Sequence, residues 1–87
     1  MAMPDRTDLK KFHNLFPEMS AKQSDYSILY SWGISQHLIA EFYEVTEESV
    51  QKSLKLAQQK LMVFNLNMLR AVVLIRLNIY ALLNRRD

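Results

Sequence analysis

Three side chains in the middle of this chain have the types and spacing of a surface that reads nucleic acid. Gln51, Lys52 and Lys55 follow at helical intervals in the run Glu47-Glu48-Ser49-Val50-Gln51-Lys52-Ser53-Leu54-Lys55. A glutamine amide can form a bidentate hydrogen-bond pair with adenine, and lysines reach phosphate or guanine. If Val50, Leu54 and Ala57 face a core, positions 47, 48, 51, 52 and 55 lie on the outer side of the same helix. Thr46, Glu48 and Ser49 complete the candidate DNA-contacting set. The competing reading is a solvated face, with Glu48 and Lys52 as a favourable i,i+4 pair and two glutamates that repel a nearby phosphate.

Such a helix needs others to hold it. Thr46 can cap it by accepting a backbone N–H, with Glu47 and Glu48 at the positive end of the helix dipole. Before it, Ser35 can cap a helix whose apolar residues Leu38, Ile39, Phe42 and Tyr43 fall at helical spacing, with small Ala40 where another helix crosses. Only Glu44-Val45 separates the two, so the stretch from Gly33 to Val50 reads as helix, tight turn, helix. Earlier still, Ser20-Ala21-Lys22-Gln23 is a capping box that opens a helix running to about Trp32. Gly33, the sole glycine, is a natural stop for it. Three capped helices in sequence predict a tri-helical helix-turn-helix core, whose last helix, spanning 47–57, would enter a DNA major groove.

The flanks differ in character. Residues 1–7 read as a disordered polar arm, and 8–15 as one or two helical turns whose Leu9, Phe12, Leu15 and Phe16 pack on the domain before Pro17. His13, within them, reads as exposed or hydrogen-bonded rather than as a ligand. Neither Gly nor Pro follows Gly33, and a long helix is expected from Gln58 or Gln59 to Asn84. A bend or short loop is expected near Leu56-Ala57-Gln58-Gln59, because one helix of about 37 residues would span about 55 Å.

Within that long helix Leu61, Phe64, Met68, Ala71, Ile75, Ile79 and Leu82 form a seam at intervals of three and four. Val63, Leu66, Leu69, Val73, Leu74, Leu77 and Tyr80 make the other faces apolar too, so burial against a partner is expected, most simply a second copy in a two-fold dimer. A membrane span is the rival reading. Leu61 to Leu83 is long enough, but Arg70 and Arg76 would each cost about 2.5–3.5 kcal/mol near the bilayer centre. No membrane association is therefore expected. Arg85 and Arg86 suit the negative end of the helix or a DNA phosphate.

Composition narrows the class. The chain has 87 residues, 49% hydrophobic and 23% charged, with one Gly and two Pro, which fits one small helical domain. It has no cysteine, which excludes disulfides and thiolate metal sites and is compatible with a reducing cytoplasm. The N-terminus lacks the apolar core of a signal peptide, and a cytoplasmic location is expected. The net charge of +2 is unevenly spread: Lys22, Lys52, Lys55 and Lys60 against Asp25, Glu41, Glu44, Glu47 and Glu48 leave residues 19–63 at −1. That weakens non-specific phosphate binding by a single copy. His13 and His37 are far apart without a ligand pattern, and one glycine cannot build a phosphate loop. Tyr26, Tyr30, Trp32, Phe42 and Tyr43 read as packing residues. No enzyme activity, metal or cofactor is expected.

The run from Met19-Ser20-Ala21-Lys22-Gln23 through Gly33-Ile34-Ser35, Ile39-Ala40 and Val45-Thr46-Glu47-Glu48-Ser49-Val50 to Lys60-Leu61-Met62-Val63 resembles the LuxR/FixJ-type helix-turn-helix domain. The likeness runs without a gap over about half of the chain, and its specificity lies in the spacing of these blocks. It implies a four-helix bacterial DNA-binding domain that dimerises, often through its fourth helix, on inverted-repeat promoter sites. Three positions depart from the pattern: Gln23 stands where a Glu is usual, Gln51 where a basic residue is, and Ser53 where a His is. The expected organisation is an arm with a short helix over 1–18, a helix-turn-helix domain over 19–60 and a C-terminal dimerisation helix over 61–87. The expected function is a small homodimeric transcriptional regulator that binds double-stranded DNA. The alternative is a module of the same fold that joins a larger regulator through its C-terminal helix without touching DNA.

Overall fold

A computed structural model describes residues 6–85. Among these residues the chain is all-α: α1 (Arg6–Leu9) runs into a 3-10 helix (Lys10–Leu15), followed by α2 (Ala21–Ser31), α3 (Gln36–Tyr43), α4 (Glu47–Lys60) and α5 (Leu66–Leu83). Of the disordered arm expected over residues 1–7, residues 1–5 lie outside those described, as does Arg86, while Arg6 and Thr7 are instead the first residues of α1.

Side-chain caps open the four longer helices. Ser20 Oγ accepts from Gln23 N while Gln23 Oε1 accepts from Ser20 N, which completes the capping box of α2. Ser35 and Thr46 hydroxyls accept from Leu38 N and Ser49 N at the starts of α3 and α4. Asn65, a cap the sequence reading missed, does the same for α5 by accepting from Met68 N at 2.8 Å.

Three of the helix ends share one geometry. A residue with positive φ follows the helix, and its own amide and the next one return to last-turn carbonyls. After α2 the residue is Gly33, with Gly33 N bonded to Tyr30 O and Ile34 N to Leu29 O. After α3 it is Glu44 (φ 55), with Val45 N returning to Ala40 O. After α4 it is Met62 (φ 58), with Val63 N returning to Gln58 O. This last turn corrects the expected boundary. The break lies at residues 61–65 rather than at 56–59, because left-handed Met62 ends α4 and Asn65 starts α5. Leu61 and Phe64 are therefore not on the C-terminal helix: Leu61 closes α4 and Phe64 sits in the connection.

α2 is the hub. It packs on α3, α4, α5 and the 3-10 helix, and every residue from Gln23 to Leu29 is buried. Ser24, Ser27 and Ser31 keep its sides thin where neighbours approach, and the Ser31 hydroxyl donates to Ile28 O at 2.7 Å. Tyr26, Ile28 and Leu29 supply its apolar bulk to a core shared with Leu9, Phe16, Ile39, Ala40, Tyr43, Val50, Leu54, Ala57, Leu69 and Val73. Trp32, read from the sequence as a packing residue, is 45% exposed at the helix end and stands edge-on to Phe12.

Candidate nucleic-acid interface

The geometry of α4 follows from its buried stripe. Val50, Leu54 and Ala57 point into the core, which turns Glu48, Gln51, Lys52 and Lys55 outward as one exposed strip. Thr46 and Ser49 stand apart from that strip. The Thr46 hydroxyl serves as the cap, and Ser49 is half-buried. Of the six expected DNA-contacting residues, four share the open face. Gln59 extends it toward the end of the helix, and exposed Lys60 lies to one side, in line with Ser49 and Ser53.

The electrostatics of this strip run from acid to base. Glu41 at the end of α3, Glu44 in the turn, and Glu47 and Glu48 at the start of α4 are all exposed. Lys52, Lys55 and Lys60 occupy the later turns. The order complements the helix dipole, which favours carboxylates at the start and cations at the end. His37 bridges the two helices: its Nδ1 lies 3.3 Å from Glu47 Oε1 and its Nε2 3.8 Å from Glu41 Oε2. Glu47 is thereby drawn toward α3 and away from the Gln51 side of α4. The described residues contain no His, Cys, Asp and Glu group suited to a metal ion.

A second polar cluster, absent from the sequence reading, lies inside the fold. Asp25 on α2 is buried, with Oδ1 2.6 Å from His13 Nε2 and Oδ2 accepting the Tyr43 hydroxyl at 3.0 Å. It ties the N-terminal segment, α2 and α3 together. His13 thus falls within the hydrogen-bonded reading given to it. No local pattern announced it, because Asp25 stands among Lys22, Gln23, Ser24 and Ser27 in a helix whose polar residues resemble a solvent-facing set.

The C-terminal seam is partly rearranged. Met68, Ala71, Ile75, Ile79 and Leu82 lie exposed on one face of α5, whereas Leu61 is half-buried against the core. In the connection before α5, Met62 is 86% and Phe64 87% exposed. Arg70 and Arg76 are not scattered to solvent. Arg70 lies 4.7 Å from the Tyr30 ring centre, and Arg76 donates to Leu15 O and to both carboxylate oxygens of Glu18, each at 2.8 Å. By length and composition α5 could cross a membrane, which is weak evidence for a single helix, and of its residues Leu69 and Val73 are buried within the protein. Compared with family models, curated proteins and solved structures, the chain matches none.

Proposed function

We propose that the chain is a small homodimeric DNA-binding transcriptional regulator of the cytoplasm, with α4 as its recognition helix in the major groove. One observation carries the reading. α4 follows α3 after a tight turn, is anchored by Val50, Leu54 and Ala57, and leaves Gln51, Lys52 and Lys55 on a single open face. Gln51 is suited to adenine, and the lysines to phosphate or guanine. The acidic start of α4 keeps a single copy weak, so two copies on one site are needed for useful affinity.

Pairing through α5 supplies the second copy. The exposed large apolar side chains from Met62 to Leu83 leave on the order of 800 Å² open, the size each partner contributes to a stable interface, with roughly half of it on Met68, Ile75, Ile79 and Leu82 and the rest on Met62, Phe64 and Leu83. A bilayer is a poorer occupant, because Arg70 and Arg76 would have to accompany α5 into it.

The test is fluorescence anisotropy against genomic DNA fragments at low salt. Lys52→Ala and Lys55→Ala should each weaken binding across all sequences and lower the salt slope by about 1, while Gln51→Ala should relax preference at one base position. Absent binding, or binding indifferent to all three changes, would overturn the reading. The four carboxylates Glu41, Glu44, Glu47 and Glu48 favour a second reading, in which the module joins a larger regulator through α5 and leaves DNA alone. Co-purification with a larger helix-turn-helix protein and no retention on DNA is its signature.

A further inference from the structure

α5 is apolar on all sides, yet its long outer face is open while the opposite one is covered. The cover is built from α2, from α4 and from the N-terminal segment. Phe12 stands edge-on to Tyr80 with ring centres 5.7 Å apart, and the Arg76 guanidinium lies 5.5 Å from the centre of the Phe16 ring. The same guanidinium grips Leu15 O and both oxygens of Glu18. A two-point guanidinium–carboxylate pair fixes direction as well as distance, so it sets how the segment lies along α5.

We propose that the segment Leu9–Glu18 is a built-in cover that makes α5 a one-sided docking helix, so that a second copy of the chain seats on the Met68–Ala71–Ile75–Ile79–Leu82 face and on no other. The inference rests on the pairing proposed above. The face left open carries no charged residue, and two copies meet there about a two-fold axis without opposing like charges. Arg70 and Arg76 lie off that face and are engaged inside each protomer, by Tyr30 and by Glu18. Without the cover, Leu77 and Tyr80 become part of a second apolar face. A helix open on two sides accepts two neighbours, and association then continues beyond the dimer.

Sedimentation velocity on the full chain tests this, with Arg76→Met, Glu18→Arg and the double exchange Glu18→Arg with Arg76→Glu. The expected result is a dimer for the unaltered chain, a fraction heavier than the dimer that grows with concentration for each single change, and a return to the dimer for the double exchange. Single variants that remain dimers overturn the cover and leave the pairing intact. A monomeric unaltered chain overturns the pairing and the cover with it. Should a single variant lose its helical circular dichroism, Phe12→Ala serves instead, since it opens Tyr80 and keeps the ion pair. Its expected mass is again above the dimer, and a dimer overturns the cover.

Discussion

α2 and α5 invert the usual relation between what a helix is made of and where it sits. α2 contains Gln23, Ser24, Asp25, Ser27 and Ser31 and is the most enclosed element of the molecule. α5 is almost wholly apolar, with two of its residues buried. The difference lies in how polar groups are satisfied and how closely helices approach. The α2 serines are short enough for neighbours to pack close, and Asp25 enters the core with His13 and Tyr43 as partners. α5 uses its two arginines on the N-terminal segment and α2 and keeps its uninterrupted apolar face outside. Polar content in α2 serves internal packing, and apolar content in α5 is left open as the surface that the proposed pairing would use.

The same kind of truncation on the two helices should therefore have opposite readouts. Leu29→Ala on α2 removes a fully buried side chain and should cost about 2–5 kcal/mol in urea unfolding. Ile79→Ser on α5 should leave unfolding of the separated protomer within about 0.5 kcal/mol, because the site is exposed. It should instead weaken pairing by about 1.5–3 kcal/mol for each side chain removed from the interface, tenfold or more in the dimer dissociation constant. Equal destabilisation by both changes, with no shift in mass, would erase the distinction between the helices.

Much of this was legible in the sequence, and the rest has identifiable physical reasons. Ser20, Ser35, Thr46 and Gly33 are local signals, and each sits at the helix end expected of it. The α4 face was legible because Val50, Leu54 and Ala57 recur with the helical period. The end of α4 was not, since Met62 adopts a left-handed conformation that a side chain disfavours and that glycine usually marks. The enclosure of α2 was hidden by its serines, which resemble solvent-facing residues in composition. Arg76 and Glu18 are 58 residues apart, and no local pattern announces such a pair.

That pair gives the contrast a pH dependence. The Glu18 carboxyl is held down to about 2, first by hydrogen bonds from Arg76 and then by its own backbone amide. Because the folded value lies below the ordinary 4.5, the stabilisation is present above that pH and fades as pH falls toward about 2. With the Glu18 side chain 37% exposed, solvent screening limits the pair to about 1 kcal/mol. Acid titration should therefore loosen the N-terminal segment from α5 while α2 remains protected. Amide protection, taken relative to the intrinsic exchange rate at each pH, should fall around Phe16 and Arg76 before it does around Leu29. Glu18→Gln should remove this acid step.

The smallest expected effect separates a side chain kept for folding from one kept for docking. Glu44 and Met62 both hold positive φ, at 55 and 58, so glycine at either position relieves backbone strain. Its greater freedom in the unfolded chain takes part of that gain back, and a net increase of a few tenths to about 1 kcal/mol is expected for each. Glu44 ends α3, whereas Met62 stands almost fully exposed in the connection that leads into α5. If Met62 contributes to the docking surface, Met62→Gly should make the protomer more stable and the dimer weaker, whereas Glu44→Gly should raise stability with no effect on mass. A retained methionine at a glycine-favouring position then has a reason in the partner rather than in the fold. Should both variants gain stability and pair as before, the docking surface begins at α5 itself, and the exposed connection has no part in it.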